Sequence, residues 1–108
     1  MGNLGCFPSR VAVELPDEID IANAEAVRDD LLSACAPGVI IVADMTRTTF
    51  CDSRGTQELL GAHYRAREAG CHLRFVSVTW PVLRVWQIMG ADRILAMYPT
   101  LDSAMSAT

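Results

Sequence analysis

The amino-acid sequence predicts an α/β fold in a single domain, with a central mixed β-sheet of about four strands and about four α-helices. Its 108 residues suit one core, and a composition that is 51% apolar supplies enough side chains to fill it. Strand-like and helical segments alternate through short connections, which favours parallel pairing of at least the two central strands. Because no repeat or low-complexity tract divides the chain, we expect the domain to cover residues 9–108 and residues 1–8 to be mobile.

The first half of the chain predicts a strand, a helix and a second strand. Residues 10–15 alternate polar and apolar side chains, which is typical of a strand with one buried face. Asn23 is a favourable N-cap for a helix over residues 24–34, where apolar side chains recur on one stripe. The β-branched and apolar run over residues 39–43 predicts a buried central strand.

The second half predicts the same alternation around a polar loop. The loop over residues 44–52 leads into a helix that begins near Ser53 and ends at Gly70. A strand over residues 73–78 and a helix over residues 79–90 follow. Two shorter elements complete the fold, an edge strand over residues 94–98 and a last helical turn over residues 101–105.

Charge and composition exclude several classes of function. The 9 basic residues are all arginines and face 13 acidic ones, so a net charge of -4 argues against direct nucleic-acid binding. The lack of lysine excludes Schiff-base and P-loop chemistry. Apolar runs fall far short of a membrane span, and the first residues do not form a signal peptide. We therefore expect a soluble cytoplasmic protein with no membrane contact.

The four cysteines carry no cofactor signature. Cys6, Cys35, Cys51 and Cys71 show neither a C-x-x-C motif nor a zinc-ligand spacing, so we predict no metal and no other cofactor. Cys35 and Cys71 lie among alanines and leucines and are expected to be reduced thiols in the core. Cys51 precedes a helix start, which would lower its pKa and make it a redox-sensitive thiol. A buried structural thiol is the favoured alternative.

The loop before the second helix is the predicted functional site, because ligands of parallel sheets gather at the carboxyl ends of the strands. Ser53 lies beside unpaired backbone N–H groups that favour a negative charge such as a phosphate. The alternative is that Ser53 or Asp52 is only the helix N-cap. Asp44 and Asp52 also flank the loop as a candidate acid–base or Mg²⁺ pair, although turn and capping roles are favoured.

Serine hydrolysis is disfavoured. His63 lies ten residues along the helix from Ser53, or about 15 Å, and no G-x-S-x-G elbow is present.

Helical spacing predicts that Trp86 and Met89 belong to the core and leaves Trp80 as an exposed contact.

The loop and its flanking segments resemble the STAS domain family, in particular bacterial anti-sigma factor antagonists, from about residue 10 to residue 105. The segments that carry the resemblance are Leu15-Pro16-Asp17-Glu18-Ile19-Asp20, Asp44-Met45-Thr46, Thr49-Phe50-Cys51-Asp52-Ser53-Arg54-Gly55, Val82-Leu83-Arg84-Val85-Trp86 and Gly90-Ala91-Asp92-Arg93-Ile94-Leu95. The resemblance implies a STAS-like domain that is not an enzyme and that regulates transcription in a bacterial stress response.

The resemblance also implies a phosphorylation switch at Ser53. The unphosphorylated protein would bind an anti-sigma factor that is an ATP-dependent serine kinase and so release a sigma factor, and a serine phosphatase would reverse the switch. The residues that the resemblance places at the partner-binding surface are Asp44, Asp52, Ser53, Arg54, Gly55 and Thr56. The alternative is a STAS scaffold or accessory interaction module without a phosphoswitch.

The sequence departs from the family pattern at four places. Arg54 replaces a small hydroxyl residue, Thr56 replaces a leucine and Gln57 replaces a glycine. We expect one of three roles for Arg54. It pairs with the phosphate, it pairs with an acidic kinase surface, or it is solvated in the first turn of the helix. The N-terminus is short, so a first strand near residues 4–7 would be missing or irregular, and the exposed sheet edge would allow a homodimer.

Overall fold

A computed structural model describes residues 10–106, and the elements alternate as expected. The strands are β1 (Arg10–Glu14), β2 (Glu18–Ile19), β3 (Ile40–Asp44), β4 (Phe50–Cys51), β5 (His72–Val76) and β6 (Ala96–Tyr98). The helices are α1 (Ala24–Leu32), α2 (Ser53–Glu68), α3 (Trp80–Met89) and α4 (Leu101–Ser106), with a 3₁₀ turn over Ala91–Arg93. The α/β class, the four principal strands and the four helices are therefore confirmed.

The main sheet has four strands in the order β1-β3-β5-β6. Each of its strand pairs is parallel within residues 10–106, whereas a mixed sheet was predicted from the sequence. The reason is that a helix connects each strand to its parallel neighbour. Because all the strands run the same way, their carboxyl ends lie at one edge of the sheet.

A second, two-stranded sheet lies beside this edge and was not predicted. In it β2 pairs in parallel with β4, matching Glu18 with Phe50 and Ile19 with Cys51. Two residues are too few to show a period of two, so the sequence pattern could not indicate either strand. The pair anchors the chain immediately before α2.

Asn23 precedes α1 as expected, but its side chain does not cap the helix. Its Nδ2 donates to the carbonyl of Glu18 at 2.8 Å, and its Oδ1 accepts from the N–H of Asp20 at 2.9 Å. Asn23 therefore stabilises the turn that follows β2 rather than the first turn of the helix.

Helices pack on both faces of the main sheet. On one face α1, α2 and α3 enclose the larger core, in which the buried Trp86 meets Phe75 edge-to-face with a centroid distance of 5.3 Å. On the other face Ala104 of α4 packs against Val42 and Val76. Trp86 is thus in the core as predicted. Its neighbour in the predicted stripe, Met89, is half-buried.

Two of the sequence predictions fall outside the described residues: a mobile segment over residues 1–8, and an irregular first strand near residues 4–7. Within residues 10–106, β1 pairs only with β3 and so forms one edge of the main sheet. No helix in this part of the chain is both long and apolar enough to cross a membrane.

Candidate functional site

Hydrogen bonds from three neighbouring segments hold the loop between β3 and β4 at the carboxyl edge of the sheet. The buried Thr48 donates its hydroxyl hydrogen to the carbonyl of Pro16 at 2.7 Å. Thr79 in turn donates to the carbonyl of Thr48 at 2.6 Å, and the N–H of Met45 bonds to the carbonyl of Val76 at 3.0 Å. The loop is therefore fixed to the ends of β1 and β5, and the chain enters α2 in one defined geometry.

Asp52 is the N-cap of α2, and Ser53 is the first helical residue. Asp52 Oδ1 accepts the backbone N–H of Gly55 at 2.7 Å, which satisfies one of the free donors of the first turn. The Ser53 side chain is exposed, and its hydroxyl makes no hydrogen bond with any residue from 10 to 106. Of the two capping candidates from the sequence, the structure therefore selects Asp52 and leaves the Ser53 hydroxyl available.

Gly55 permits a close approach between α2 and β2. A Cβ atom at this position would lie 2.8 Å from the carbonyl oxygen of Ile19, 2.9 Å from Ile19 Cγ2 and 3.0 Å from the sulfur of Cys51. The backbone oxygen cannot move away without disturbing the β2–β4 pair. Gly55 is therefore required for the position of the first turn, and with it the position of Ser53.

Thr56 lies beneath the loop and is fully buried. Its hydroxyl donates to the carbonyl of Asp52 at 2.9 Å and lies 3.5 Å from the sulfur of Cys51. The polar group that replaces the family's leucine is thus satisfied in the core. Gly55 and Thr56 consequently shape the loop from within, because neither exposes a side chain to a partner.

Arg54 is held by carboxylates of this chain. Its Nη2 lies 2.9 Å from Glu25 Oε2 of α1, and its Nε lies 3.1 Å from Glu58 Oε2 one turn along α2. Glu58 also pairs with Arg28 of α1 at 2.8 Å. None of the three expectations for Arg54, which were pairing with a phosphate, pairing with an acidic kinase surface and solvation, includes this network. The i,i+4 spacing of Arg54 and Glu58 was the one available signal, while the contact with α1 depends on the tertiary fold.

The Cys51 thiol is buried, and burial raises its pKa. The Thr56 hydroxyl and the Trp86 indole act in the opposite direction, and the charge of Asp52 adds to the rise. This direction is the reverse of that required for a reactive thiolate and favours the structural alternative. Cys71 is likewise buried and Cys35 is half-buried at the margin of the same core.

Asp44 and Asp52 stabilise separate turns. Asp44 Oδ1 accepts the N–H and the hydroxyl hydrogen of Thr46 at 2.9 and 2.5 Å, closing the turn after β3. Asp52 is committed to the cap of α2. No group of three or more metal-ligating side chains occurs within residues 10–106.

Exposed apolar side chains surround the loop. Trp80 is 61% exposed, as predicted, and its ring lies 5.9 Å from the Arg84 guanidinium. Phe50, in β4, is 47% exposed, and Ile21, between β2 and α1, is 73% exposed. Neither exposed side chain is predicted by the sequence pattern, because Phe50 belongs to a strand of two residues and Ile21 to a turn. Together with Ser53 they make the carboxyl edge a partly apolar surface.

A protein-family model described as the STAS domain matches residues 4–104, which is nearly the whole chain. The chain belongs to the STAS domain family. The matched residues include the main sheet, the polar loop before α2 and the buried Gly55 in the first turn of α2. A search of curated proteins finds no match to the chain.

Several solved structures share this fold. An anti-sigma factor antagonist from Mycobacterium paratuberculosis is 23% identical with a TM-score of 0.77, and the match covers 91% of this chain and 84% of that one. The antagonist SpoIIAA in its unphosphorylated form is 21% identical with a TM-score of 0.71, covering 93% and 88%. A sulfate transporter family protein from Wolinella succinogenes is 15% identical with a TM-score of 0.77, covering 90% and 82%. Likeness at these identities establishes the shared fold.

Proposed function

We propose that this STAS protein is a bacterial anti-sigma factor antagonist, a binding protein rather than an enzyme, that is controlled by phosphorylation of Ser53. The unphosphorylated protein binds an anti-sigma factor of the ATP-dependent serine kinase type in the cytoplasm and releases a sigma factor during stress. Phosphorylation ends the binding and a serine phosphatase restores it. The observation that carries the proposal is the exposed Ser53 hydroxyl, which is left without a structural role because Asp52 caps α2.

The fold can accommodate a phosphate at Ser53 without rearrangement. A phosphoryl group adds about -1.5 to -2 charge and three acceptor oxygens. At the first residue of α2 it would point into solvent beside the positive end of the helix dipole, which favours negative charge. A partner surface seated on the same spot would have to desolvate that charge next to Asp52. The modification therefore weakens the interface and leaves the domain folded.

The docking surface that we propose surrounds Ser53. Asp44, Asp52 and Arg54 are partly exposed there, and Trp80 and Phe50 supply apolar area. Large aromatic side chains contribute much of the energy at protein interfaces, so these two are the expected anchors. Gly55 and Thr56 are buried beneath the loop, so they fix its position and do not contact the partner themselves.

Ser53 is a poor candidate for a catalytic nucleophile. His63 lies ten residues further along the continuous helix α2, which separates the two positions by about 15 Å. Within residues 10–106 no other side chain bonds to the Ser53 hydroxyl and could accept its proton. A phosphoryl acceptor needs no base of its own when the kinase supplies one, so these features suit a substrate of a kinase.

The test is a capture experiment from lysate of the native host. Wild type, Ser53→Ala and Ser53→Asp are immobilised, and Ser106→Asp, which adds the same charge at the exposed end of α4, is the matched control. The proposal requires that wild type, Ser53→Ala and Ser106→Asp retain a protein with an ATP-binding serine kinase domain and that Ser53→Asp loses it. Retention of the same partners by all four would reject the switch.

A STAS interaction module without a phosphoswitch is the second candidate. It is favoured by the similar fold of the sulfate transporter family protein, since that protein shows the fold outside the antagonists. Under this alternative the partners retained by the four variants are identical and none of them is a kinase. The same experiment therefore decides between the two functions.

A further inference from the structure

Two cysteines lie side by side at the end of the domain opposite Ser53. Cys35 follows α1 and Cys71 follows α2, so each precedes one of two neighbouring strands of the main sheet. The two thiols lie within hydrogen-bond contact of each other. The helix α2 has 16 residues, which at 1.5 Å per residue places its end about 24 Å from its start. The pair is therefore remote from the proposed docking surface and from Cys51.

Backbone hydrogen bonds hold the two segments together. The N–H of Gly38 bonds to the carbonyl of Gly70 at 2.9 Å. The N–H of His72 bonds to the carbonyl of Val39 at 2.8 Å. Both bonds extend the parallel pairing of β3 with β5 beyond the first residues of these strands. Cys71 therefore lies opposite Val39.

A tight turn brings Cys35 back towards Cys71. The N–H of Val39 bonds to the carbonyl of Ala36 at 3.0 Å and closes a β-turn. Its third residue, Gly38, has a φ of +83°, which glycine adopts readily and other residues do not. The turn places Ala36 beside Val39, and so it places the preceding Cys35 beside Cys71.

The two thiols differ in their access to solvent. Cys71 is 3% exposed, whereas Cys35 is half-buried and precedes an exposed turn. Burial raises the pKa of Cys71, and the hydrogen bond and charge of Cys35 raise it further, while the N–H of Ala36 acts in the opposite direction. A buried and protonated thiol reacts slowly with an oxidant in solvent. Cys35 is therefore the sulfur that a small oxidant reaches first.

Core packing accounts for Cys71 but not for Cys35. Free cysteine is among the most buried residue types, and Cys71 follows that rule. Cys35 lies at the margin of the core among the small residues Ser33, Ala34 and Ala36, so filling space does not by itself call for a thiol there. The contact of the two sulfurs, in contrast, is the arrangement that a disulfide requires.

We infer that Cys35 and Cys71 form a reversible disulfide within one chain when the protein meets a hydroperoxide. The Cys35 sulfur attacks the O–O bond and becomes a sulfenic acid, and its proton passes to the alcohol or water that leaves. The Cys71 sulfur then attacks the sulfenic sulfur, and its proton leaves with the hydroxyl group as water. The two sulfurs together lose two electrons, which the broken O–O bond takes up. A dithiol reductant reverses the reaction by thiol–disulfide exchange.

The domain should remain folded in the oxidised form, because the disulfide joins segments that are already hydrogen-bonded to each other. The inference does not depend on the proposed phosphoswitch, since the pair lies at the other end of α2 from Ser53.

The test uses the fact that trypsin places the four cysteines in different peptides. Cleavage after arginine puts Cys35 in residues 29–47, Cys71 in 68–74, Cys51 in 48–54 and Cys6 in 1–10. The reduced, folded chain is treated with hydrogen peroxide at neutral pH, its remaining thiols are alkylated in denaturant, and the digest is analysed by mass spectrometry without reduction. We expect peptide 29–47 linked to peptide 68–74, with a mass two hydrogen atoms below their sum. Dithiothreitol added before the alkylation should abolish the linked peptide.

Two serine variants and a labelled mixture are the controls. Cys51→Ser should form the linked peptide as wild type does, whereas Cys35→Ser should lose it and leave Cys71 reduced. In an equal mixture of unlabelled and ¹⁵N-labelled chains, a bond within one chain gives no linked peptide with a single labelled half.

Three results would overturn the inference. In the first, Cys35 and Cys71 remain open to alkylation after the peroxide treatment. In the second, Cys35 accumulates as a sulfinic acid while Cys71 remains a thiol. In the third, the linked peptide carries one labelled half, which would mean that the bond forms between two chains.

Discussion

The carboxylate of Asp52 accepts the backbone N–H of Gly55 at 2.7 Å, and this bond separates the capping role of Asp52 from the phosphate-accepting role that we propose for Ser53. Aspartate and serine are adjacent here, and either residue type can cap a helix. Because Asp52 does so, the exposed hydroxyl of Ser53 is available to accept a phosphate.

Asp52→Ala should lower the free energy of unfolding by about 1 kcal/mol, because the first turn of α2 loses its cap. Ser53→Ala should change it by less than about 0.5 kcal/mol, as for other exposed positions. Urea unfolding followed by circular dichroism measures both values. A larger loss for Ser53→Ala than for Asp52→Ala would show that the serine is the cap.

Gly55→Ala should destabilise the domain by about 1 to 3 kcal/mol, because the added methyl group would lie 2.8 Å from the carbonyl oxygen of Ile19. Gly61→Ala is the matched control in the same helix, where the added Cβ meets no atom within 4 Å. That variant should be more stable than wild type by up to about 1 kcal/mol through helix propensity alone. Equal effects of the two substitutions on the denaturation midpoint would contradict the close approach of α2 and β2.

Glu58→Gln should cost about 1 kcal/mol, since this partly buried carboxylate pairs with both Arg28 and Arg54. Glu25→Gln removes only the exposed pair with Arg54 and should cost less than about 0.5 kcal/mol. Raising the salt concentration should reduce the difference between the two variants. Indistinguishable stabilities at low salt would contradict the double pairing of Glu58 with Arg28 and Arg54.

The buried thiols should make the protein less stable in alkali. Burial, reinforced by the neighbouring Cys35, raises the pKa of Cys71 from 9.0 to about 12. Because the folded state favours the protonated thiol, its contribution to stability is complete below pH 9 and is lost as the pH rises through about 12. The free energy of unfolding should therefore fall over this interval, and Cys71→Ala should reduce the fall. An unchanged pH dependence in the variant would contradict the raised pKa.

Cys51 should resist alkylation in the folded protein at neutral pH. Its thiol is buried, and the raised pKa leaves little thiolate to react. Mass spectrometry after brief treatment with iodoacetamide should find Cys51 unmodified without denaturant and modified with it. Rapid alkylation of Cys51 in the folded protein would contradict this prediction and would support a redox-sensitive thiol.

Periodicity and helix signals predicted the principal strands, the helices and the position of Ser53 before α2. They did not predict the β2–β4 pair, because two residues carry no period, and they could not choose between adjacent capping residues. The role of Gly55 depends on how closely Ile19 approaches α2, which no local pattern encodes. The same is true of the Arg54–Glu25 contact, since it joins segments that are distant in the sequence.

The most direct test of the phosphoswitch uses purified components. The kinase captured by the wild-type protein is titrated with this chain carrying either serine or phosphoserine at position 53, and the two affinities are compared by calorimetry. We predict that phosphoserine weakens binding at least about ten-fold, because a desolvated charge at an interface costs several kcal/mol. Equal affinities would contradict the central claim that Ser53 controls partner binding.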